Sequence, residues 1–580
     1  MKTKKFTKTA TAVAAYALLA TPSQAIETYD VRDLNGVPFM RARIFSTGDG
    51  PYYCCKIGEP VSSLRNLSQW EIDQSLAGIQ YWAEIIKVIP GQSPAIVNIG
   101  GYHDSNAYAL SFFQGASTKV QAALTGQDPG ELYYGAHGVI GIGQMEFSSE
   151  AYIPSQVSMT PSANLPAVVA HEIAHALGMT ISGLADSLYF PKTIDGWTSH
   201  LYDDNGKQAK PGQAFYCSKC PNPPAADVFD LRRDQGYFGG RHVSEVLAGA
   251  MPGVPVRLTS GMSHSELKNS LMSHQNYRNY TNLMEAELAA LQDLGYNIDR
   301  RNFFGYSLYG GGQTLVNDNP FFSRNAGGTA YLPNTYNTAT LGLGLHVYGS
   351  SNTVVQRADL LSRGVGGAGI RVDGGNNSIA ILPRTRVYAD GANGRAVMFI
   401  YGKDHTFTQR GDVQALGDHG IAASFDFGNN VLGNRAEYRG SYIRTVGDKP
   451  APILDEISGP LVSTFDLTGR LAGKYAAMYM SKNAYVGQIN VMRGAVLSGD
   501  ILSDYAQVDG NGAPRLTKLT FGMTPDANGH STGQPDASFA LRYDGNIVGR
   551  NNLSLQLFGG TSFLPAITKC TTRMSRKVQR

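Results

Sequence analysis

Charge is scarce in this chain. Asp, Glu, Lys and Arg make up 16% of the 580 residues, while glycine alone contributes 67. That balance argues against helical bundles and for a strand-rich, turn-rich architecture. The formal net charge is +3, and Lys2, Lys4, Lys5 and Lys8 all fall in a leading segment expected to be removed, which leaves about −1. A basic footprint for nucleic acid is therefore missing, and no nucleic-acid partner is expected. Cysteine is scarce too: Cys54, Cys55, Cys217, Cys220 and Cys570. Cys217-Ser-Lys-Cys220 has no second pair to complete a zinc knuckle and no strand–helix setting for thioredoxin-like chemistry. A disulfide pinning a loop is the expectation, and spacing does not say whether Cys54 or Cys55 pairs with that loop. Beyond the leader, no apolar run is long enough to span a bilayer, so no transmembrane segment is expected in the mature chain.

What is present falls into blocks. Residues 1–25 read as a secretory signal: a lysine-rich start, an apolar run, then Pro22 and the small-residue site Ser23-Gln24-Ala25. Residues 68–88 form an amphipathic helix pattern. Ser68 and Glu71 make a capping box, Leu67 can staple onto Ile72, and Ile72, Leu76, Ile79, Ala83 and Ile86 keep helical spacing up to Pro90-Gly91. Residues 95–99 and 138–142 are short apolar runs beside glycines and read as strands.

The chemistry concentrates in residues 167–179, AVVAHEIAHALGM. His171, Glu172 and His175 have the spacing H-E-x-x-H. On a helix the two histidines lie one turn apart on one face, so both can bind one metal ion, with the glutamate in reach of a water. Asn164 can cap this helix, and Pro166 sits where a missing N–H does no harm. Leu165, Val169, Ile173 and Leu177 form an apolar line turned away from the histidines. Gly178 can end the helix in a left-handed conformation and turn the chain back under the metal.

His171-Glu172-x-x-His175-x-x-Gly178 resembles the metzincin clan of zinc peptidases. The third histidine of that clan commonly follows three residues after the glycine, where this chain has Ile181. Asp186 could complete the site, or a distant histidine could return to it. Residues 263–296 support the second course. They carry His264, Leu271-Met272, a polar loop, and a helix with Asn282 and Glu285 as capping pair, Leu288 and Leu291 inward and Gly295 as its stop. This pattern is similar to the leishmanolysin-type branch, in which an insertion precedes the third ligand. The resemblance implies a zincin-like α+β domain over 26–300 with Zn²⁺ on His171, His175 and His264. It makes Met272 the Met-turn methionine, Gly178 the turn after the zinc helix, and Asp293-Leu294-Gly295-Tyr296 the closing segment. Ser265 stands where family members often have tryptophan, which keeps His274 as a competitor, with His200 and His242 behind it. Tyr277 or Tyr280 could donate to the oxyanion.

From about Phe303 helical periodicity stops. Gly349, Gly374, Gly402 and Gly428 recur 25, 28 and 26 residues apart, each after an alternating stretch such as 343–347 or 369–372. A period near ~25 with a Gly/Asn corner predicts a right-handed parallel β-helix over 301–564. His405 and His419 are expected at its corners or surface. Residues 565–580 read as a basic, disordered tail. Signal, enzyme module and β-helix together resemble autotransporter passengers of Gram-negative bacteria. The membrane barrel of that family is missing here, either supplied elsewhere or lost by truncation.

These readings converge on an exported zinc metalloendopeptidase, secreted or held at the cell surface. Glu172 assists the attack of a zinc-held water on a protein or peptide substrate. Two alternatives stay open: a catalytically inactive adhesin or binding passenger, and a metal-dependent hydrolase acting on something other than peptides.

Overall fold

The structure is a computed structural model. It describes residues 26–49, 63–102, 109–111, 117–126, 136–144, 146–154, 164–181, 189–217, 227–258, 261–273, 282–428, 444–446, 449–451, 459–505, 508, 512–564, 567–568 and 571–572. The signal segment, Asp186, His274, Tyr277, Tyr280 and the cysteines other than Cys217 lie outside the described residues. Cys217 itself is disulfide-bonded. No helix among the described residues is long and apolar enough to cross a membrane.

The first half is a mixed sheet with helices. Strands β1 (Glu27–Arg32), β2 (Pro38–Phe45), β3 (Ala95–Gly101), β4 (Ala109–Ser111) and β5 (Gly138–Ile142) take the order β1-β2-β3-β5-β4. The central pairs are parallel and the two edge pairs antiparallel. Both runs expected to be strands are therefore central ones. Helix α1 (Gln69–Ile85) begins on the predicted capping box, with Ser68 and Glu71 each satisfying the other's backbone N–H. Glu71 also pairs with Arg65 at 2.7 Å, and Arg65 donates to the carbonyls of Ile142 and Gly143. One guanidinium thus ties the start of α1 to the end of β5. The helix stops at Ile85, short of the expected 88, because Ile86 is already extended.

Helix α2 (Ser117–Thr125) and helix α3 (Leu165–Ala176) follow. The predicted apolar line of α3 is fully buried at Leu165, Val169, Ile173 and Leu177. The indole of Trp82 in α1 donates to the Ala170 carbonyl at 2.7 Å and fixes how the two helices cross. Next come the short helix α4 (Gly196–Ser199), helix α5 (Arg241–Leu247) and a three-stranded sheet of Leu201–Asp203, Gly236–Phe238 and Val254–Val256. Helix α6 (Glu285–Asp293) closes this half. Its cap differs from the expectation: Met284 is the capping residue, and the Glu287 carboxylate accepts its N–H at 2.7 Å. The Asn282 side chain is drawn off to Arg371 instead.

The second half is a stack of parallel strands in three columns. One column runs Phe304–Leu308, Leu343–Val347, Ala368–Val372, Arg395–Phe399 and Ile421–Phe425. A second runs from Thr314–Asn317 through Thr353–Gln356, Ser378–Ile381 and His405–Gln409 to Leu553–Leu557 and beyond. The third contains Leu360–Ser362, Arg386–Ala389 and Asp412–Ala415. The single strand Arg470–Met480 then serves both the first and the third column. Inward side chains stack turn on turn: Phe399 on Phe425 at 5.7 Å and Phe407 on Phe465 at 4.6 Å between ring centroids. The repeating glycines have a packing reason. A Cβ on Gly374 would overlap the Gly349 carbonyl, and one on Gly349 would overlap that of Gly310. Pairing also continues past residue 564: Ile567–Thr568 and Thr571–Thr572 each join a column in parallel, so part of the expected tail extends the stack.

His405 stands at a corner, one of the two places expected, but not at the surface. It is fully buried and closes a file of asparagines at one corner. Asn352 Oδ1 accepts from the Gln313 N–H, Asn377 Oδ1 from the Asn352 N–H, and His405 Nδ1 from the Asn377 N–H. His405 Nε2–H donates to the Tyr401 carbonyl at 2.9 Å. Burial penalises the charged ring, so the imidazole pKa falls to about 4, and a second ring proton would point at the Asn377 N–H. The unfolded chain binds this proton at its ordinary value near ~6.5. The stack's stability is therefore whole above that value and is lost as pH drops toward 4. About 3 kcal/mol goes over that window. Chemical denaturation at pH 7.5 and 4.5 should show this loss as the amount by which wild type loses more stability, or gains less, than His405→Asn over the same window.

Candidate metal centre

Three imidazoles meet at the C-terminal end of α3. His264 Nε2 lies 3.1 Å from His175 Nε2 and 3.2 Å from His171 Nε2. The ligand atoms of all three lie within 4.8 Å of one another. Each ring is held from behind. His171 Nδ1 is 2.9 Å from the Leu271 carbonyl, and His175 Nδ1 is 2.7 Å from the Met179 carbonyl. A carbonyl can only accept, so both Nδ1 atoms carry the proton and both Nε2 atoms present bare lone pairs. The Ser263 hydroxyl contacts His264 Nδ1 at 3.2 Å. Burial lowers the pKa of His175, which keeps its ring neutral, as a ligand must be.

The donor set fits zinc. Three nitrogens bound at 2.0–2.1 Å in tetrahedral directions stand about 3.3 Å apart. The two closest separations here match that edge. Without a cation, lone pairs so close would repel.

Local sequence builds each part. Asn164 caps α3, its side chain accepting from the Ala167 N–H at 3.3 Å. At the other end, Gly178 N–H bonds to the His175 carbonyl and Met179 N–H to the Ala174 carbonyl. That is the paired ending that needs a left-handed residue, and Gly178 has φ +111°. The turn it makes brings the Met179 carbonyl to His175 Nδ1. An alanine at 178 would be strained and would press on Leu294 Cδ1 at 3.2 Å. Gly178→Ala is expected to cost about 2 kcal/mol in denaturant unfolding and to weaken zinc binding in the same preparation.

Met272 is fully buried. It sits in a tight turn closed by the Ser273 N–H on the Ser270 carbonyl, and its own N–H donates to Ser270 Oγ at 3.0 Å. The preceding carbonyl, Leu271, is the one that orients His171. The segment 293–296 also reaches α3. Tyr296 OH donates to the Leu177 carbonyl at 2.9 Å, and the Asp293 carboxylate caps α5 through the His242 and Val243 N–H groups.

Glu172 is the only residue of α3 that is not buried. Its flanking neighbours are packed away, so Glu172 is the one part-exposed side chain of this helix between the two histidines. The other candidate histidines among the described residues are engaged elsewhere. His200 bonds to the Gly239 carbonyl and stacks on Phe238, and His242 faces Glu245.

Two supports have no sequence signal as site residues. Glu287 is buried, and its carboxylate takes the hydroxyls of Ser265 and Ser270, knotting the His264 loop to the Met272 turn. Burial pushes its pKa up to about 7, against the pull of those donors. Its place three residues into α6 marks it only as a capping acid. Trp197 of α4 donates its indole N–H to the Met262 carbonyl at 2.8 Å, just before His264. It braces that loop from the segment between α3 and α5. Comparison with family models, with curated proteins and with solved structures returned no match to this chain.

Proposed function

We propose that this chain is an exported zinc endopeptidase, with a metzincin domain of leishmanolysin type seated on a right-handed parallel β-helix. The observation that carries the reading is the convergence of three Nε2 atoms, two of them forced bare by backbone carbonyls, with part-exposed Glu172 in the turn between the two helix histidines. The columns of parallel strands, repeating every 25 to 28 residues at their glycine corners, support the β-helix. The lysine-led apolar leader supports export to the outside or surface of a Gram-negative cell.

Zinc on His171, His175 and His264 would supply Lewis acidity, polarising the substrate carbonyl and lowering the pKa of a water toward ~7. Glu172 takes a proton from the attacking water as its oxygen bonds to the carbonyl carbon. The same carboxyl then delivers that proton to the leaving amine nitrogen as the C–N bond breaks. Glu287, Leu271 and Met179 hold the imidazoles so that none must reorient during the reaction.

The test is zinc content together with cleavage of an unfolded protein substrate. One zinc per chain and cleavage that stops with a chelator are expected. One zinc without cleavage of any unfolded protein would favour the hydrolase of other substrates. Neither zinc nor cleavage would leave the inactive binding passenger.

A further inference from the structure

The loop that carries the third imidazole does not stand by itself. Asn269 donates its side-chain N–H to Asp373 Oδ1 at 2.9 Å, and the Lys268 N–H donates to Tyr348 OH at 3.0 Å. The Lys268 ammonium lies over the Tyr401 ring at 4.7 Å. Arg371 donates to the Asn282 side-chain carbonyl. Asp373, Arg371, Tyr348 and Tyr401 all belong to the parallel stack.

The stack side of this contact is prepared for it. Asp373 is held by Arg371 Nε at 2.7 Å and by His346 Nε2 at 2.7 Å. Asp373, Arg371, His346, Asn269 and Asn282 are all almost completely buried. A buried charge pair needs every lone pair met, and here the remaining ones are met by the His264 loop and its neighbour. The path to the metal centre is short. The Asn282 carbonyl accepts from the Leu271 N–H at 2.9 Å, and the Leu271 carbonyl accepts from His171 Nδ1 at 2.9 Å.

We propose that Asp373 and Arg371 are positioning residues of the metal centre, so that the stack completes the peptidase site by holding the 264–273 loop and the Asn282–Leu271 link in register. The stack is then part of the enzyme, beyond any role as a stalk. This inference rests on the zinc reading above.

The experiment titrates Zn²⁺ alone into the full-length chain against a competing chromophoric chelator, and records the Co²⁺ ligand-field spectrum. Three variants are compared with wild type. Asn269→Gly removes the amide while suiting the backbone, since Asn269 has φ +59°. Asn269→Asp sets a carboxylate against Asp373. The double change Asn269→Asp with Asp373→Asn restores a donor–acceptor pair with the roles exchanged. Asn269→Gly is expected to weaken zinc about tenfold and Asn269→Asp about a hundredfold, the range typical of outer-shell groups. Both should shift the Co²⁺ bands, and the exchange should recover most of the loss. A folded Asn269→Asp chain with wild-type zinc affinity and spectrum would overturn the proposal. Should that variant not fold, wild-type values for Asn269→Gly would overturn it equally. Failure of the wild type itself to take zinc would instead sink the functional reading, and this inference with it.

Discussion

Glu172→Ala should keep one zinc per chain and an unchanged thermal midpoint, yet hydrolyse peptide bonds about a thousandfold more slowly. Positioned acid–base groups contribute about 10²–10⁴-fold, and a thousandfold corresponds to about 4 kcal/mol of transition-state stabilisation. The separation of effects follows from the helix. Glu172 is the one part-exposed residue of α3, so its loss spares the buried face of the helix, and the carbonyls that hold the imidazoles belong to Leu271 and Met179. Glu172→Gln, equal in size and unable to accept the proton, should behave the same way. Zinc-loaded variants that turn over near the wild-type rate would remove the proton-transfer role.

The other large effect is at His264. Loss of an outer-shell partner typically costs 10–100-fold in metal affinity, and loss of a ligand atom should exceed that. His264→Ala is therefore expected to weaken zinc more than about a hundredfold and to abolish cleavage, while the core stays folded. His274→Ala should change neither property. Isothermal titration with zinc, followed by a cleavage assay of the same samples, distinguishes the two histidines. A reversal, with His274 essential and His264 dispensable, would move the third ligand and discard the Nε2 cluster as the site.

Much of this was legible in the sequence where the determining interactions are local. The caps of α1 and α3, the apolar line of α3 and the glycine after it depend on neighbours within a turn or two, and each stands where spacing put it. The strands of the stack were legible because an approximate period repeats one solution many times. His264 was a different matter. No spacing rule joins it to His175 across 89 residues, and only the family resemblance selected it. What stayed hidden was set by tertiary partners. Asn282 left its expected capping role because Arg371 competes for its side chain across 89 positions. Glu287 was not singled out at all, since its two serine partners lie 17 and 22 residues away. His405 stands at a corner, as one expectation had it, but nothing in its own segment reveals that it is buried at the end of a file of asparagines.

The glycine files of the stack also constrain how the molecule could change in length. At Gly349, Gly374, Gly391 and Gly417 the space for a side chain is occupied by the carbonyl one turn below. The rise from turn to turn is thereby fixed from outside each segment, and a partial insertion between corners would throw every later file out of step. Loss or duplication of one complete coil would keep all files aligned. Such a molecule should vary in whole steps, so that its reach away from the end that bears the three histidines is a counted quantity.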